Sequence, residues 1–260
     1  MISVKLPLQS SIMTVMTKAA VKASKGLLRD FLELENLQVS VKNNKTFVTS
    51  ADLKANKILT DELMHARPTY SLLSEESSEV KGSDPEHRWI IDPLDGTSNY
   101  MHGFPHWAIS IALEKNKEIV AAVTYDPVKN ELFWAEKGCG AFVNDKKIRV
   151  SGKKSLVDLL ISCGHMDDSS MKLISTYQNS IRRTGSMTLD MAYVAAGRID
   201  LMFSAYRKNN IWDVAAGMLL IKEAGGVIAS KDGAITSEYN EVSIMTNINV
   251  LSSLMNRRIG

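Results

Sequence analysis

Between Ser10 and Leu34 the apolar residues Ile12, Val15, Ala19, Ala23, Leu27, Phe31 and Leu34 recur at gaps of three and four. That spacing draws one stripe along a helix. Lys18, Lys22, Lys25 and Arg29 fall off the stripe and read as its solvated face. A turn-rich stretch centred on Asn43-Asn44 follows. A second helix is then expected from Asp52 to about His65, with Ser50 as its cap and Pro68 beyond its end. Tyr70 to Ser74 is a short buried strand ending in Glu75 and Glu76, and Lys81 to Pro85 is a surface loop. Arg88 to Ile91 is another strand and ends on Asp92. Pro93 cannot donate to a ladder, so pairing is expected to stop there.

Beyond the loop from Pro93 to Pro105 the period changes. Ile109, Ile111 and Leu113 alternate with Ala108, Ser110 and Ala112, the pattern of a sheet. Glu118 to Tyr125 and Glu131 to Ala135 flank Asp126-Pro127 as a hairpin, and Asn144-Asp145 turns the chain back after Gly138 and Gly140. Later, strands are predicted at Leu159–Ser162, Ile199–Phe203 and Val242–Thr246. Helices are predicted at Asp167–Asn179, Ser186–Ala196 (closed by Gly197), Trp212–Ala224 (closed by Gly225-Gly226) and the C-terminus. No repeat or low-complexity run interrupts this mixed α/β chain, whose helices must pack on its sheets.

At 260 residues the chain can form one large domain or two tightly packed subdomains. Its 31 basic and 29 acidic side chains leave a formal charge of +2. The total charge therefore does not argue for nucleic acid or an acidic membrane surface. Cys139 and Cys163 form no CxxC pair and read as reduced thiols of a cytoplasmic protein. No stretch approaches the ~18 apolar residues of a membrane helix, and the N-terminus lacks a signal core.

The acids at the element ends change the picture. Asp92 stands at a strand end, with Asp95 three residues on and Gly96-Thr97 following. Gly96 permits a tight turn, and the Gly96 and Thr97 amides can face an anion. Carboxylates beside such donors suit hard cations such as Mg²⁺ together with phosphate oxygens. Two carboxylates ~4 Å apart repel by about 4 kcal/mol at an effective dielectric near 20, and a divalent cation removes that penalty. Taken singly, each motif has a plainer account. Asp213 opens a helix and suits its dipole, Glu75-Glu76 can be a solvated strand end, and Asp92 to Gly96 can be a reverse turn. His102 and His106 read as loop or interface residues, and Trp107 and Trp134 as core or interface aromatics. Lys42 and Lys45 could steer anions but equally suit a solvated surface.

Together these motifs resemble the inositol monophosphatase family. Trp89 to Tyr100 is similar to its first signature, acid-Pro-aliphatic-acid-Gly-Thr, and Trp212 to Gly217 with Glu223 to Gly226 to its second. Glu75-Glu76-Ser77, Val48-Thr49-Ser50-Ala51-Asp52 and Gly138 to Asn144 match further family motifs, so the resemblance spans nearly the whole chain.

It implies a layered αβαβα sandwich of the α/β class, usually a homodimer. It also implies lithium-sensitive hydrolysis of a small phosphate monoester, such as inositol-1-phosphate or a related sugar phosphate. Two or three Mg²⁺ ions would be held by Glu75, Asp92, Asp95 and Asp213 with the Leu94 carbonyl. Thr97 and Glu75 would help activate the attacking water, with Asp52 hydrogen-bonded to Thr97. Asp95, Gly96, Thr97, Gly185 and Ser186 would bind phosphate and substrate. Residues 1–260 would form one phosphatase domain: a metal and phosphate subdomain to about 150, then a substrate subdomain.

Three positions depart from the family pattern. Thr46 stands where an acid is common, and Met187 enlarges a Gly-Thr-Ala-like segment. Tyr206 replaces the glutamate that reads inositol hydroxyls seven residues before Asp213. Fructose 1,6-bisphosphate, a nucleotide or histidinol phosphate are rival substrates within the family, although Asp95 to Tyr100 resembles its inositol-type branch. Some bacterial members have RNA- or transcription-related roles, for which Arg182-Arg183 and Arg207-Lys208 are candidate contacts.

Overall fold

The computed structural model describes residues 10–37, 41–164, 171–172, 175–177, 179–204 and 209–258, with the side chains of 34–37, 41–49 and 258 outside that set. Helices α1 (Ser11–Leu37) and α2 (Val41–Ala66) come first. The second starts well before Asp52, so the expected turn at Asn43-Asn44 is helical backbone instead. Propagating an existing helix through Asn or Thr costs well under ~1 kcal/mol per residue, far less than nucleating a new one.

Strands β1 (Ser71–Ser74), β2 (Ser77–Val80) and β3 (His87–Asp95) follow, then the short helix α3 (Thr97–Met101). Strands β4 (Ala108–Lys115), β5 (Glu118–Asp126), β6 (Glu131–Glu136), β7 (Gly140–Val143) and β8 (Lys146–Ile148) complete an eight-stranded sheet of order β2-β1-β3-β4-β5-β6-β7-β8. Strand β3 does not stop at Pro93. Asp92 pairs with Ser110 and Asp95 with Ala108, so β3 carries one extra residue in a bulge. The proline is accommodated there because a bulge already leaves one residue unpaired.

The second half contributes β9 (Leu160–Cys163), β10 (Ser180–Arg182), α4 (Met187–Ala195), β11 (Leu201–Phe203) and α5 (Ile211–Glu223). Strands β12 (Val227–Ala229) and β13 (Ile244–Thr246) and helix α6 (Ile248–Arg258) follow. These strands form a five-stranded sheet, β10-β9-β11-β13-β12. The helix expected at Asp167–Asn179 falls mostly outside the described residues.

Period-two alternation sorts side chains into layers. Trp89, Ile91, Ile109, Ile111, Leu113, Val123 and Trp134 join α1 and α2 in one core. The intervening Ile90, Ala108, Ala112, Ala122 and Ala135 face α4 and α5, whose other side meets Met202, Ile228 and Met245 of the second sheet. Leu201, Phe203 and Ile244 on the far face of that sheet pack on Val250, Leu251 and Leu254 of α6. The result is the α-β-α-β-α sandwich. Alanines on the inner face of the large sheet let α5 lie close across β3, β4 and β5. No helix among the described residues is long and apolar enough to cross a membrane.

Candidate active site

The register of β1 against β3 builds the site. The strands run parallel, with Ser74 beside Ile91. The next residues, Glu75 and Asp92, therefore emerge side by side, and the Glu75 N–H donates to the Ile91 carbonyl at 3.3 Å. Helix α5 brings Asp213 in its first turn, where the Asn210 N–H donates to Asp213 Oδ2 at 3.3 Å. One carboxylate oxygen each of Glu75, Asp92 and Asp213 lies within 4.8 Å of the others.

Asp95 is held differently. Its Oδ2 accepts from Ser186 Oγ at 2.5 Å, Thr188 N at 2.8 Å and Thr188 Oγ1 at 2.7 Å, which ties the β3 end to the start of α4. Gly96 adopts φ +90°, and a Cβ there would lie 3.0 Å from the His106 carbonyl oxygen. Only glycine meets both demands. A family model described as the inositol monophosphatase family matches residues 8–256. The chain belongs to that family.

Relatives agree along most of the length. An inositol-1-monophosphatase of Rhizobium meliloti is 48% identical over 234 residues, 86% of this chain and 87% of that protein. A Nus factor SuhB of Xylella fastidiosa is 43% identical, over 87% of this chain and 84% of that protein. A crystal structure of the extragenic suppressor protein suhB from Bartonella henselae aligns at a TM-score of 0.85 with 41% identity, covering 96% of this chain and all of that one. The chain is thus a phosphatase of a family whose chemistry depends on metal.

The electrostatics of the site fit a divalent cation. Burial, then Asp95 and Glu75, hold the Asp92 carboxyl well above its usual range. Burial and Asp213 push Glu75 to about 7, although the residue as a whole is exposed, because its carboxyl faces the other acids. Burial and Asp95 push Asp213 to about 6. Burial also raises Asp95, against the bonds from Ser186 and Thr188. Among the described residues none of the ion pairs involves these acids. Clustered oxygen donors without a counter-charge are the donor set that Mg²⁺ or a similar hard ion takes.

The expected second row differs in part. The Asp92 carboxylate accepts from the Leu94 N–H at 3.0 Å, and the Leu94 carbonyl accepts from Thr97 Oγ1 at 3.0 Å. The expected bond between Asp52 and Thr97 is not formed. Asp52 lies buried on α2 with its Oδ1 unpartnered. Burial, then the Glu76 and Glu75 charges, raise it to about 8. Ser186 serves Asp95, while Gly185 is exposed on the rim with φ +87°. Thr188, Asn99 and Asn210 hold the site without having been singled out from sequence. Thr188 had one available signal, a hydroxyl in the first turn of a predicted helix. The side chains of Lys42, Lys45 and Thr46 and all of 205–208 lie outside the described residues, whereas Trp107 and Trp134 are core aromatics as expected.

Proposed function

We infer that the chain hydrolyses inositol-1-phosphate or a closely related sugar phosphate with Mg²⁺, as a cytoplasmic homodimer. The observation that carries this reading is the convergence of Glu75, Asp92 and Asp213 beside the α3 turn. Glu75, Asp92 and Asp213, the second oxygen of Asp95 and the Leu94 carbonyl would hold the ions. Bound there, Mg²⁺ supplies Lewis-acid activation of water and offsets charge on phosphate.

The protein does the rest by position. The amides of Gly96 and Thr97 orient the phosphate oxygens. Thr97 Oγ1 donates its proton to the Leu94 carbonyl, so its lone pairs are free to accept from the attacking water. The Glu75 carboxylate takes the second proton contact. Water oxygen bonds to phosphorus as its proton passes to Glu75, the ester P–O bond breaks, and the leaving alkoxide takes up a proton from solvent. Residues to about 150 supply the metal and phosphate site, apart from Asp213, and the remainder supplies the wall that meets the alcohol. Closer identity to relatives named inositol-1-monophosphatase (46–48%) than to those named Nus factor SuhB (34–43%) supports this reading.

Inorganic phosphate release should be measured on inositol-1-phosphate, fructose 1,6-bisphosphate, a nucleotide monophosphate and histidinol phosphate, with and without Mg²⁺ and Li⁺. Mg²⁺-dependent, Li⁺-inhibited turnover, highest on inositol-1-phosphate, is expected. No turnover on any ester defeats the reading.

A second role rests on the relatives named Nus factor SuhB and on Arg182 and Arg183, both exposed at the β10 edge. It predicts co-purification with RNA polymerase that survives Asp95→Asn. Loss of Arg182 and Arg183 without effect on recovery would remove it.

A further inference from the structure

Asp190 is a buried carboxylate, 3% exposed, on α4 and away from the clustered acids. Three side chains from three segments bond to it. His106 Nε2 lies 3.1 Å from Oδ1, and Ser162 Oγ and Thr184 Oγ1 both donate to Oδ2. Asn99 completes a ring. Its Nδ2 donates to the Thr184 carbonyl at 2.7 Å and to the His106 carbonyl at 2.6 Å. Thr184 is thus gripped twice, by its backbone through Asn99 and by its hydroxyl through Asp190. His106 is gripped in the same two ways.

This ring crosses the molecule. Asn99 and His106 belong to the segment that links the large sheet's β3 and β4, Ser162 to β9 of the second sheet, and Asp190 to the helix between the sheets. Its outlet is the next turn of chain. Thr184 leads into Gly185, which has φ +87° and where a Cβ would meet Asn99 Oδ1 at 2.9 Å. The following Ser186 and Thr188 are the groups that hold Asp95 Oδ2. A carboxylate that accepts several hydrogen bonds fixes its donors more firmly than a neutral acceptor does.

We propose that Asp190 is a positioning residue: with His106, Ser162, Thr184 and Asn99 it sets the 184–188 turn, and so aims the Asp95 carboxylate at the ion and substrate. This deepens the phosphatase reading and rests on it.

The test is a double-mutant cycle between D190A and S186A, read both as kcat/KM for inositol-1-phosphate and as Mn²⁺ affinity by titration calorimetry. In the wild-type background D190A should lower each by about tenfold or more, the size found for groups that orient metal ligands. In the S186A background, where one of the three bonds to Asp95 Oδ2 is already lost, D190A should cost at least about twofold less than in the wild type, beyond the scale of ordinary non-additivity. D190N should recover most of the loss, because its amide can donate to the two hydroxyls it must otherwise accept from. Should D190A fold poorly by circular dichroism, T184V removes one donor at nearly constant volume and should show the same coupling more weakly. Equal losses in both backgrounds overturn the proposal, as does a D190A or T184V variant with unchanged kcat/KM and Mn²⁺ affinity. An enzyme with no turnover but with coupled Mn²⁺ losses would sink the substrate reading and leave the positioning role standing. A wild type that binds no Mn²⁺ sinks both.

Discussion

The two ends of β3 handle charge in opposite ways. At its start Arg88 lies between Glu114, whose oxygens accept at 3.0 and 3.2 Å, and Glu79 at 3.3 Å. At its end Asp92 and Asp95 meet Glu75 and Asp213, and no described cation is paired with them. The first end is neutralised by the chain's own residues and needs nothing further. The second is left electrostatically incomplete, with carboxyls pushed towards their protonated forms. Unpaired acids converging at a strand end in this way mark a site built for a counter-charge from outside the chain.

The sharpest break of that comparison is Asp92→Asn. Removing one acid should lower phosphate release by about 100-fold or more, beyond the loss typical of groups merely supporting a ligand. The same change should raise the melting temperature of the metal-free chain by roughly 2–4 °C, the span worth ~1 kcal/mol in a chain this size. Activity and stability moving in opposite directions is the signature of an unpaired functional charge. A loss of both would make Asp92 an ordinary buried residue.

Next in size is the effect of pH on the metal-free protein. Carboxyls raised from 3.8 and 4.5 to about 6 to 8 bind protons in the folded chain that the unfolded chain releases. Their contribution is therefore fully present below pH 4 and is lost as pH rises through about 6 to 8. Considered alone, these groups make the metal-free chain melt higher at pH 5 than at pH 8. Saturating Mg²⁺ should flatten the slope, adding ~2.7 kcal/mol at 100 times its Kd. A scanning calorimetry series that rises steadily from pH 5 to 8 without metal would contradict this.

Gly96→Ala should cost about 1–3 kcal/mol, since alanine resists this left-handed backbone, and the Cβ would press on the His106 carbonyl oxygen at 3.0 Å. Chemical denaturation would measure it. The smallest effect belongs to the neutralised end. Glu114→Gln should change stability by less than ~1 kcal/mol, as partly exposed pairs do, and leave kcat and KM within about twofold, the scale of distant, independent sites.

The same contrast explains how much could be read without coordinates. The β4 alternation was legible because its two faces enter different cores, Ile109 and Ile111 against α1 and α2, Ala108 and Ala112 against α5. The acids were legible because strand ends and a helix start give carboxylates few other duties. Less legible were features set by neighbours distant in sequence. The bulge at Pro93 depends on the register with β4. β10 and β12, three residues each, are too short to show a period and exist because β9 and β13 lie beside them. Helix α2 extends past Asn43-Asn44 because propagation overrides weak local preference. Asp190 looks in sequence like one more helix acid, and only tertiary structure brings His106 and Ser162 to it.

The most direct measurement of the central claim is proton release on Mg²⁺ binding, by titration calorimetry at pH 6.5 in two buffers of different ionisation enthalpy. Glu75 and Asp213, pushed to about 7 and about 6 in the cluster with Asp92, should give up protons to the buffer as the ion binds, and Asp92→Asn should reduce both the release and the affinity. Binding of Mg²⁺ with no proton released, or unaltered by Asp92→Asn, would place the metal elsewhere and contradict the account.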